Sequence, residues 1–368
     1  MRRIDVTELE SLAIKLVSAL GTSNQVAAEV AESLVESDLR GHGSHGVIRM
    51  GTFYREMIEN GEIRPRATPE IERLSPTTAQ VNGNFQYGQV VGRRAVDVGI
   101  ELASDSGSAI VGVRNATHLG RVGEWAERAA AAGIGFAAFV NTGGTSPLVA
   151  VPGSAERLLP TNPLAFGVPT FDVLPHPVVL DMATSQVAHG KITKRYIEDQ
   201  PLPKGWAIDE LGEAITTARA YEEEKQGAML PLGGLTAGYK GFGLAVIAEL
   251  FAGIIANHQV SGQCNERRVN NGAMFVFVDP EYFSTYEANR RRVEALVRLV
   301  HSADHSEEIP MGPSAKGDRV VLPGEIEYEK RQKRLEEGIP FHDETLSLLA
   351  DVARQSGIKS SVLGPFDA

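Results

Sequence analysis

A single cysteine, Cys264, in 368 residues rules out an internal disulfide framework and a cysteine-built metal cluster. It suits a reducing compartment, so the cytoplasm is the expected location. Cationic side chains are also scarce, with 36 Lys and Arg against 47 Asp and Glu and a formal net charge of −11. That balance argues against a nucleic-acid backbone or an anionic membrane surface as the main partner. A small anionic substrate stays compatible with it wherever arginines and lysines converge. No apolar run reaches the roughly eighteen residues of a membrane span. In the opening MRRIDVTELESLAIKLVSALG, Asp5, Glu8, Glu10 and Lys15 interrupt any signal-type apolar core, which leaves an amphipathic first helix. What is abundant is ordinary core material: 42% of residues are hydrophobic, enough for a large interior and for two or three domains.

The stretch SDLRGHGSHGVIRM holds glycines at 41, 43 and 46 in the spacing of a dinucleotide-binding turn. That fingerprint works only when a strand enters it and a helix leaves it, placing the cofactor pyrophosphate on the helix N-terminus. Upstream, Val26, Val30, Leu34 and Leu39 recur at helical spacing, and the segment ends on Gly41 as a helix C-terminus does. A helix therefore feeds the loop, and the Rossmann reading loses its condition.

Residues 1 to about 65 read as three helical segments, the third starting near Gly46 with Ile48, Phe53, Met57 and Ile58 as its apolar stripe. From about 70 to 280 the runs AIVGVRN, GFAAFVN, PVVLDMA and AMFVFVD alternate with helical or glycine-rich stretches. This is the grammar of an α/β or α+β sheet domain. Within it, KGFGLAVIAELFAGIIANH is apolar nearly all round, as expected of a helix buried on the sheet or on a second subunit. Beyond about 285 the chain turns helical and charged. The expected division is 1–70 helical, 71–285 sheet-based, and 286–368 helical and packed with the first.

Four segments carry candidate chemistry. Arg49 follows His45 by four residues, and an arginine fork can pair a carboxylate through two parallel hydrogen bonds. The adjacent histidine can exchange a proton, with Ser44 orienting it. The alternative is that His42 and His45 cap a turn while Arg49 makes a surface ion pair. His118 follows a β-run and precedes a glycine and a helix, an arrangement that favours phosphate but also suits a structural histidine. Thr161 and Asn162 precede an apolar strand ending at Asp181, which either reaches a ligand or caps the helix that ATSQVAHGK begins. Lys240 stands in a glycine-rich turn at the start of the apolar helix, where phosphate contact and close helix packing are both open.

Together the segments GHGSHGVIR, THLGRVGEWAE, TNPLAFGVP, LDMATSQVAHGK, KGFGLA and LPGEIEYEKRQKRLEEGIP resemble one family, the type 2 malate/L-lactate dehydrogenases or L-sulfolactate dehydrogenase-like oxidoreductases. The last two are most similar to its hydroxycarboxylate dehydrogenase branch. The resemblance runs from the first helix to about residue 357. It implies interconversion of a 2-oxo and a 2-hydroxy acid with NAD or NADP, a non-Rossmann mixed-sheet cofactor domain, a helical domain built from both chain ends, and a homodimer. By the same resemblance His45 is the proton donor, Ser44 its neighbour, Arg49 the carboxylate clamp and Thr161 a substrate contact. His118, Leu119, Gly120, Arg121, Asp181, Met182, Ala183, Lys240, Pro323 and Gly324 match cofactor-binding positions. Some relatives use the histidine matching His118 as acid/base, so both histidines stay candidates.

Three positions depart from the family pattern. Lys191 replaces the aspartate that imino-acid reductases carry after AHG, which removes a Ser, His, Asp relay of their kind. Tyr239 stands for a histidine and Pro160 for a glycine. Relatives act on cyclic imino acids, ureidoglycolate or sugar-derived keto acids, and these remain alternative substrates. Two other classes compete with the dehydrogenase: a metal-dependent hydrolase or lyase using His42, His45 and Asp181, which lacks a defined third ligand spacing, and a structural oligomer without activity.

Overall fold

The computed structural model describes residues 1–144, 146–263, 270–306 and 319–358; Cys264 lies outside them. A short strand, β1 (Arg2–Ile4), precedes α1 (Val6–Ala19), whose N-cap Asp5 accepts the Thr7 N–H at 2.8 Å. Next comes α2 (Asn24–Leu39), capped by Ser23. The expected third helix is more irregular than its periodicity implies. A 3₁₀ turn at Gly43–His45 is followed by a π-helical turn at Met50–Tyr54, which runs into α3 (Arg55–Glu59). Such π turns are rare and frequently sit at functional sites.

The central sheet begins with β2 (Glu70–Ser75) and β3 (Thr78–Asn82). α4 (Gly88–Ser106) crosses over to β4 (Ser108–Ala116), and α5 (Gly123–Ala131) leads to β5 (Gly135–Asn141). β6 (Leu164–Val168) and β7 (Val178–Met182) extend the far edge. A smaller lobe follows, with α6 (His189–Ile197), β8 (Ala207–Ile208), α7 (Ala218–Glu222) and β9 (Ala228–Met229). α8 (Gly234–Ile255) leads back to the sheet as β10 (Asn271–Val278). The strand order is β2-β3-β4-β10-β5-β6-β7, and only β3 and β4 are parallel. The α/β organisation with a mixed sheet is therefore present, and each of the four quoted β-runs lies in a strand.

The apolar helix differs from the sequence reading. Its inner face is small, with Ala245, Ala248 and Ala252 buried, and lies against β5 and β10. The outer face leaves Leu244, Ile247, Leu250 and Ile254 exposed, Ile254 by 70%. Close helix-to-sheet approach selects alanine inside and displaces the bulk outward. By length and composition α8 could also cross a membrane, which a count of uninterrupted apolar residues misses because Lys240 and Glu249 break the run.

The chain ends with α9 (Tyr286–His301), α10 (Glu325–Glu337), β11 (Ile339–Phe341) and α11 (Asp343–Gln355). β11 pairs antiparallel with β1. One core cluster joins Leu12, Leu16 and Leu34 near the start to Leu346, Leu349 and Val352 near the end. A separate cluster around Trp125, Phe275 and Phe277 fills the space between the sheet, α4 and α5. Each such side chain contributes about 1.5–3 kcal/mol on full burial.

Candidate active site

α2 stops because Gly41 turns left-handed at φ +89°, and the His42 N–H closes on the Ser37 carbonyl at 2.8 Å. A helix thus enters the glycine-rich loop, as the periodicity upstream implies. Gly46 serves a different purpose from a phosphate turn. A Cβ placed there would lie 2.1 Å from the Asp38 Oδ1, so only glycine admits that carboxyl.

On this loop Ser44 Oγ lies 3.1 Å from His45 Nδ1. Arg49 Nε donates to the Ser44 carbonyl at 2.6 Å, and its guanidinium sits 5.3 Å over the Phe53 ring. Arg49 is thereby held through Nε and by its aromatic neighbour. His118, just beyond β4, stacks on His45 with ring centroids 5.4 Å apart and 16° between planes. Its other side meets Phe53 edge-on at 5.9 Å. Tyr54 Oη is 3.5 Å from His118 Nδ1 and accepts a short hydrogen bond from the Gln89 amide.

The electrostatics of this cluster favour anions. Burial first, then the positive charge of Arg49, holds His45 down to about 3. The same causes in the same order hold His118 well below the usual imidazole range. Both rings are neutral at neutral pH, which lets them stack without repulsion. Burial pushes the Tyr54 hydroxyl up to about 12, so it remains a donor.

The other candidate positions gather along β7. Asp181 Oδ2 accepts the Gly123 N–H at 2.8 Å, so it caps the start of α5 across the sheet. This corrects the expectation of a cap on its own following helix, because α6 starts only at His189. Arg121 is buried and forked onto Glu127 at 3.0 and 2.6 Å, and the Leu119 N–H is bound by Asn271 Oδ1 at 2.9 Å. Thr184 donates its N–H and its hydroxyl to the Thr161 carbonyl, both at 2.9 Å, which seats Thr161 beside Met182 and Ala183. The Val179 N–H reaches the Pro323 carbonyl at 3.1 Å, and Gly324, at φ +95°, starts α10 there. The loop before α8 joins the same place through Leu232 N–H to the Thr184 carbonyl at 2.9 Å. Lys240 itself is exposed, with its ammonium 5.9 Å from the Tyr239 ring.

The structure therefore brings Ser44, His45, Arg49 and His118 into one cluster and arranges the proposed cofactor positions, Lys240 apart, along β7, with Pro323 and Gly324 at its start and Asp181, Met182 and Ala183 at its exit. The first turn of α6 closes the loop side, since a Cβ at Gly190 would sit 2.8 Å from the Ser44 Cβ. The residues of the metal alternative are otherwise engaged: His42 lies 3.7 Å from Glu327, His45 is stacked and Asp181 caps α5. Asp38, Tyr54 and Gln89 went unnoticed in the sequence. Asp38 alone left a trace there, as an acid embedded in the apolar face of α2.

Comparison with known proteins points one way. The malate/L-lactate dehydrogenase family model matches residues 4–350. The chain is 34% identical over 364 residues to a malate dehydrogenase of Pyrococcus abyssi, covering 97% of this chain and 96% of the relative. It is 30% identical over 368 residues to hydroxycarboxylate dehydrogenase B of Escherichia coli K12, covering 99% and 97%. The solved malate dehydrogenase of Pyrococcus horikoshii superposes with a TM-score of 0.84 at 32% identity, over 97% of this chain and 96% of that one.

Proposed function

Because this chain belongs to the malate/L-lactate dehydrogenase family, we propose that it interconverts a 2-oxo acid and a 2-hydroxy acid of the malate or lactate type, with NAD or NADP as partner. The observation that carries this reading is the Arg49 guanidinium, fixed by the Ser44 carbonyl beside the stacked His45 and His118. It combines an anion clamp with proton-transfer groups at one spot.

The residues along β7 fit a dinucleotide. Gly120 opens the turn after His118 at φ +77°, Arg121 keeps a buried Nε without a protein partner, and Pro323 with Gly324 sets backbone against β7. When bound, the nicotinamide ring gives or takes the hydride. The chain's own part is orientation and proton handling. Arg49 pairs the substrate carboxylate through two parallel bonds, which fixes the 2-carbon near His45. Pairing cancels the Arg49 charge, which after burial is the next cause holding His45 down, and the acid's own negative charge favours a proton on the ring beside it. His45 then gives that proton to the oxygen as negative charge grows on it, and takes it back in the reverse direction. His118, oriented by Tyr54, supplies a further hydrogen bond to the same oxygen.

The sheet is read as a non-Rossmann cofactor domain, supported by its five antiparallel pairs among six neighbours. Residues 1–70 and 286–368 are read as one helical domain flanking residues 71–285, supported by the core cluster shared between the chain ends. A homodimer is supported by the exposed outer face of α8, and a cytoplasmic location by the lone cysteine. The deciding experiment is a panel of 2-oxo acids, including malate- and lactate-type members and a cyclic imino acid, assayed with NADH and NADPH. Saturable, acid-dependent consumption of one reduced cofactor is expected. No consumption above the buffer rate with any acid overturns the reading.

A further inference from the structure

One buried carboxyl lies directly under the loop and has no part in the chemistry above. Asp38, on the last turn of α2, is 2% exposed. Its Oδ2 accepts the Val47 N–H at 2.8 Å, and its three carboxyl atoms occupy the space where a Cβ at Gly46 would fall, 2.1–2.3 Å away. A Cβ at Gly43 would come within 3.5 Å of the same Oδ1. The carboxyl thus fills the inside of a turn whose backbone closes through the Gly46 N–H to the Gly43 carbonyl at 3.1 Å. From the opposite side, Arg334 of α10 and the Gly41 N–H both donate to the Asp38 main-chain carbonyl. Ser44 and His45 lie within this turn, and Arg49 is fastened to it through the Ser44 carbonyl.

A carboxyl is an expensive way to fill that space. Burial pushes it up to about 7, against the pull of the Val47 N–H and Arg334. An apolar side chain would occupy the same volume without that desolvation cost, yet it could not accept from Val47. What the carboxyl adds is direction: it fixes the turn by a hydrogen bond and by an interlock with Gly46.

We propose that Asp38 is the positioning residue of the acid-binding loop, docking inside the 43–47 turn to hold Ser44, His45 and Arg49 in one geometry without touching substrate itself. The inference rests on the reading of those three residues as the site of the 2-oxo acid.

The test uses Asp38→Ala, Asp38→Asn, Gly46→Ala and the double variant Asp38→Ala/Gly46→Ala, each in the full chain. Steady-state kinetics would be measured with the best acid of the panel, and cofactor affinity separately by quenching of tryptophan fluorescence. Asp38→Ala should lower kcat/KM for the acid at least a hundredfold, through both a higher KM and a lower kcat, with cofactor Kd within about twofold of the native value. Asp38→Asn keeps an acceptor of the same shape and should stay within about tenfold of the native kcat/KM. Gly46→Ala should be as damaging as Asp38→Ala, while the double variant should be no worse than Asp38→Ala, because the added methyl group then enters vacated space. A folded Asp38→Ala within threefold of native kcat/KM, or single losses that multiply in the double variant, overturns the assignment. Amide exchange judges it independently of turnover: faster exchange at Val47 in Asp38→Ala supports the docking role, and unchanged exchange overturns it. Should the native chain turn over no acid at all, the functional reading fails and exchange alone decides on Asp38.

Discussion

Replacing Arg49 with lysine keeps the charge and removes the geometry, so the structure gives its consequence in some detail. On the proposed reading Arg49 does two things at once: Nε donates to the Ser44 carbonyl at 2.6 Å, and the terminal nitrogens pair a carboxylate. A single ammonium cannot hold Ser44 and present a planar fork together. Losing one charge-assisted hydrogen bond to the acid costs about 1.5–3 kcal/mol, and leaving the Ser44 carbonyl unpaired costs about 0.5–1.5 kcal/mol more. The combined loss of about 2–4.5 kcal/mol corresponds to roughly thirtyfold to two-thousandfold in kcat/KM. Most of it should appear as a raised KM for the acid, since the clamp acts before and during the reaction alike. Cofactor affinity should stay near native, because Arg121, Asp181 and Pro323 lie away from this contact. Initial rates over a range of acid concentrations give KM and kcat, and fluorescence titration gives the cofactor Kd. An unchanged acid KM with weakened cofactor binding would refute the clamp and place Arg49 on the dinucleotide instead.

The two histidines can be separated in the same assays. His45→Gln should reduce kcat about a hundredfold to ten-thousandfold, the range for loss of a general acid, and His118→Gln should reduce it less; the reverse order, with cofactor binding intact, would make His118 the proton donor. Because Arg49 adds to burial in holding His45 down to about 3, pairing Arg49 with an acid should shift His45 upward, so that acid binding takes up protons increasingly as pH falls from 7 toward 5. Calorimetry of oxo-acid binding in buffers of different ionisation enthalpy reads that uptake, and heats independent of buffer would contradict it. Glu124, hydrogen-bonded by Ser33 and raised to about 7 by burial, binds its proton more tightly folded than unfolded. Its contribution to stability is complete below the ordinary carboxyl value near 4.5 and is lost as pH rises through 7. Melting temperature should therefore fall less between pH 5 and 8 in Glu124→Gln than in the native chain, and an identical fall in both would rule that role out.

Local patterns reported what depends on neighbours in sequence. The continuous apolar run of AMFVFV lies in β10, and the helical spacing of Val26, Val30 and Leu34 lies in α2, so that a helix and not a strand enters the glycine-rich loop. Long-range pairings left no such trace. Nothing in AMFVFVD marks it for insertion between β4 and β5, and nothing in LDMAT says that Asp181 will cap a helix some sixty positions earlier, at Gly123. β1 is only Arg2–Ile4, too short and too charged to show alternation, and is defined entirely by its partner β11. The π turn at Met50–Tyr54 differs from an α turn by one residue of register, which composition does not encode. Of the site, Ser44, His45, Arg49 and His118 were legible because polar residues crowd short loops. Gln89 was not, since it sits on a helix whose other residues explain it adequately, and Asp38 left only the trace of an acid in the apolar face of α2, with nothing to say what it faces.

The pairing of β1 with β11 also bears on the order in which the protein can be made. The acid-binding loop is complete by residue 49, yet its surroundings are not. Glu36 waits for Arg331, to which it is forked at 2.7–3.2 Å, His42 waits for Glu327, and the main chain of Asp38 waits for Arg334. On a ribosome, the first helices emerge with an apolar face that the segment from Ile339 to Ala353 covers. Contacts of such long sequence separation form late, because loop closure must precede them. A chain truncated before residue 325 would hold a finished sheet and an unfinished site, so turnover itself reports that the segment carrying Glu327, Arg331 and Arg334 is in place.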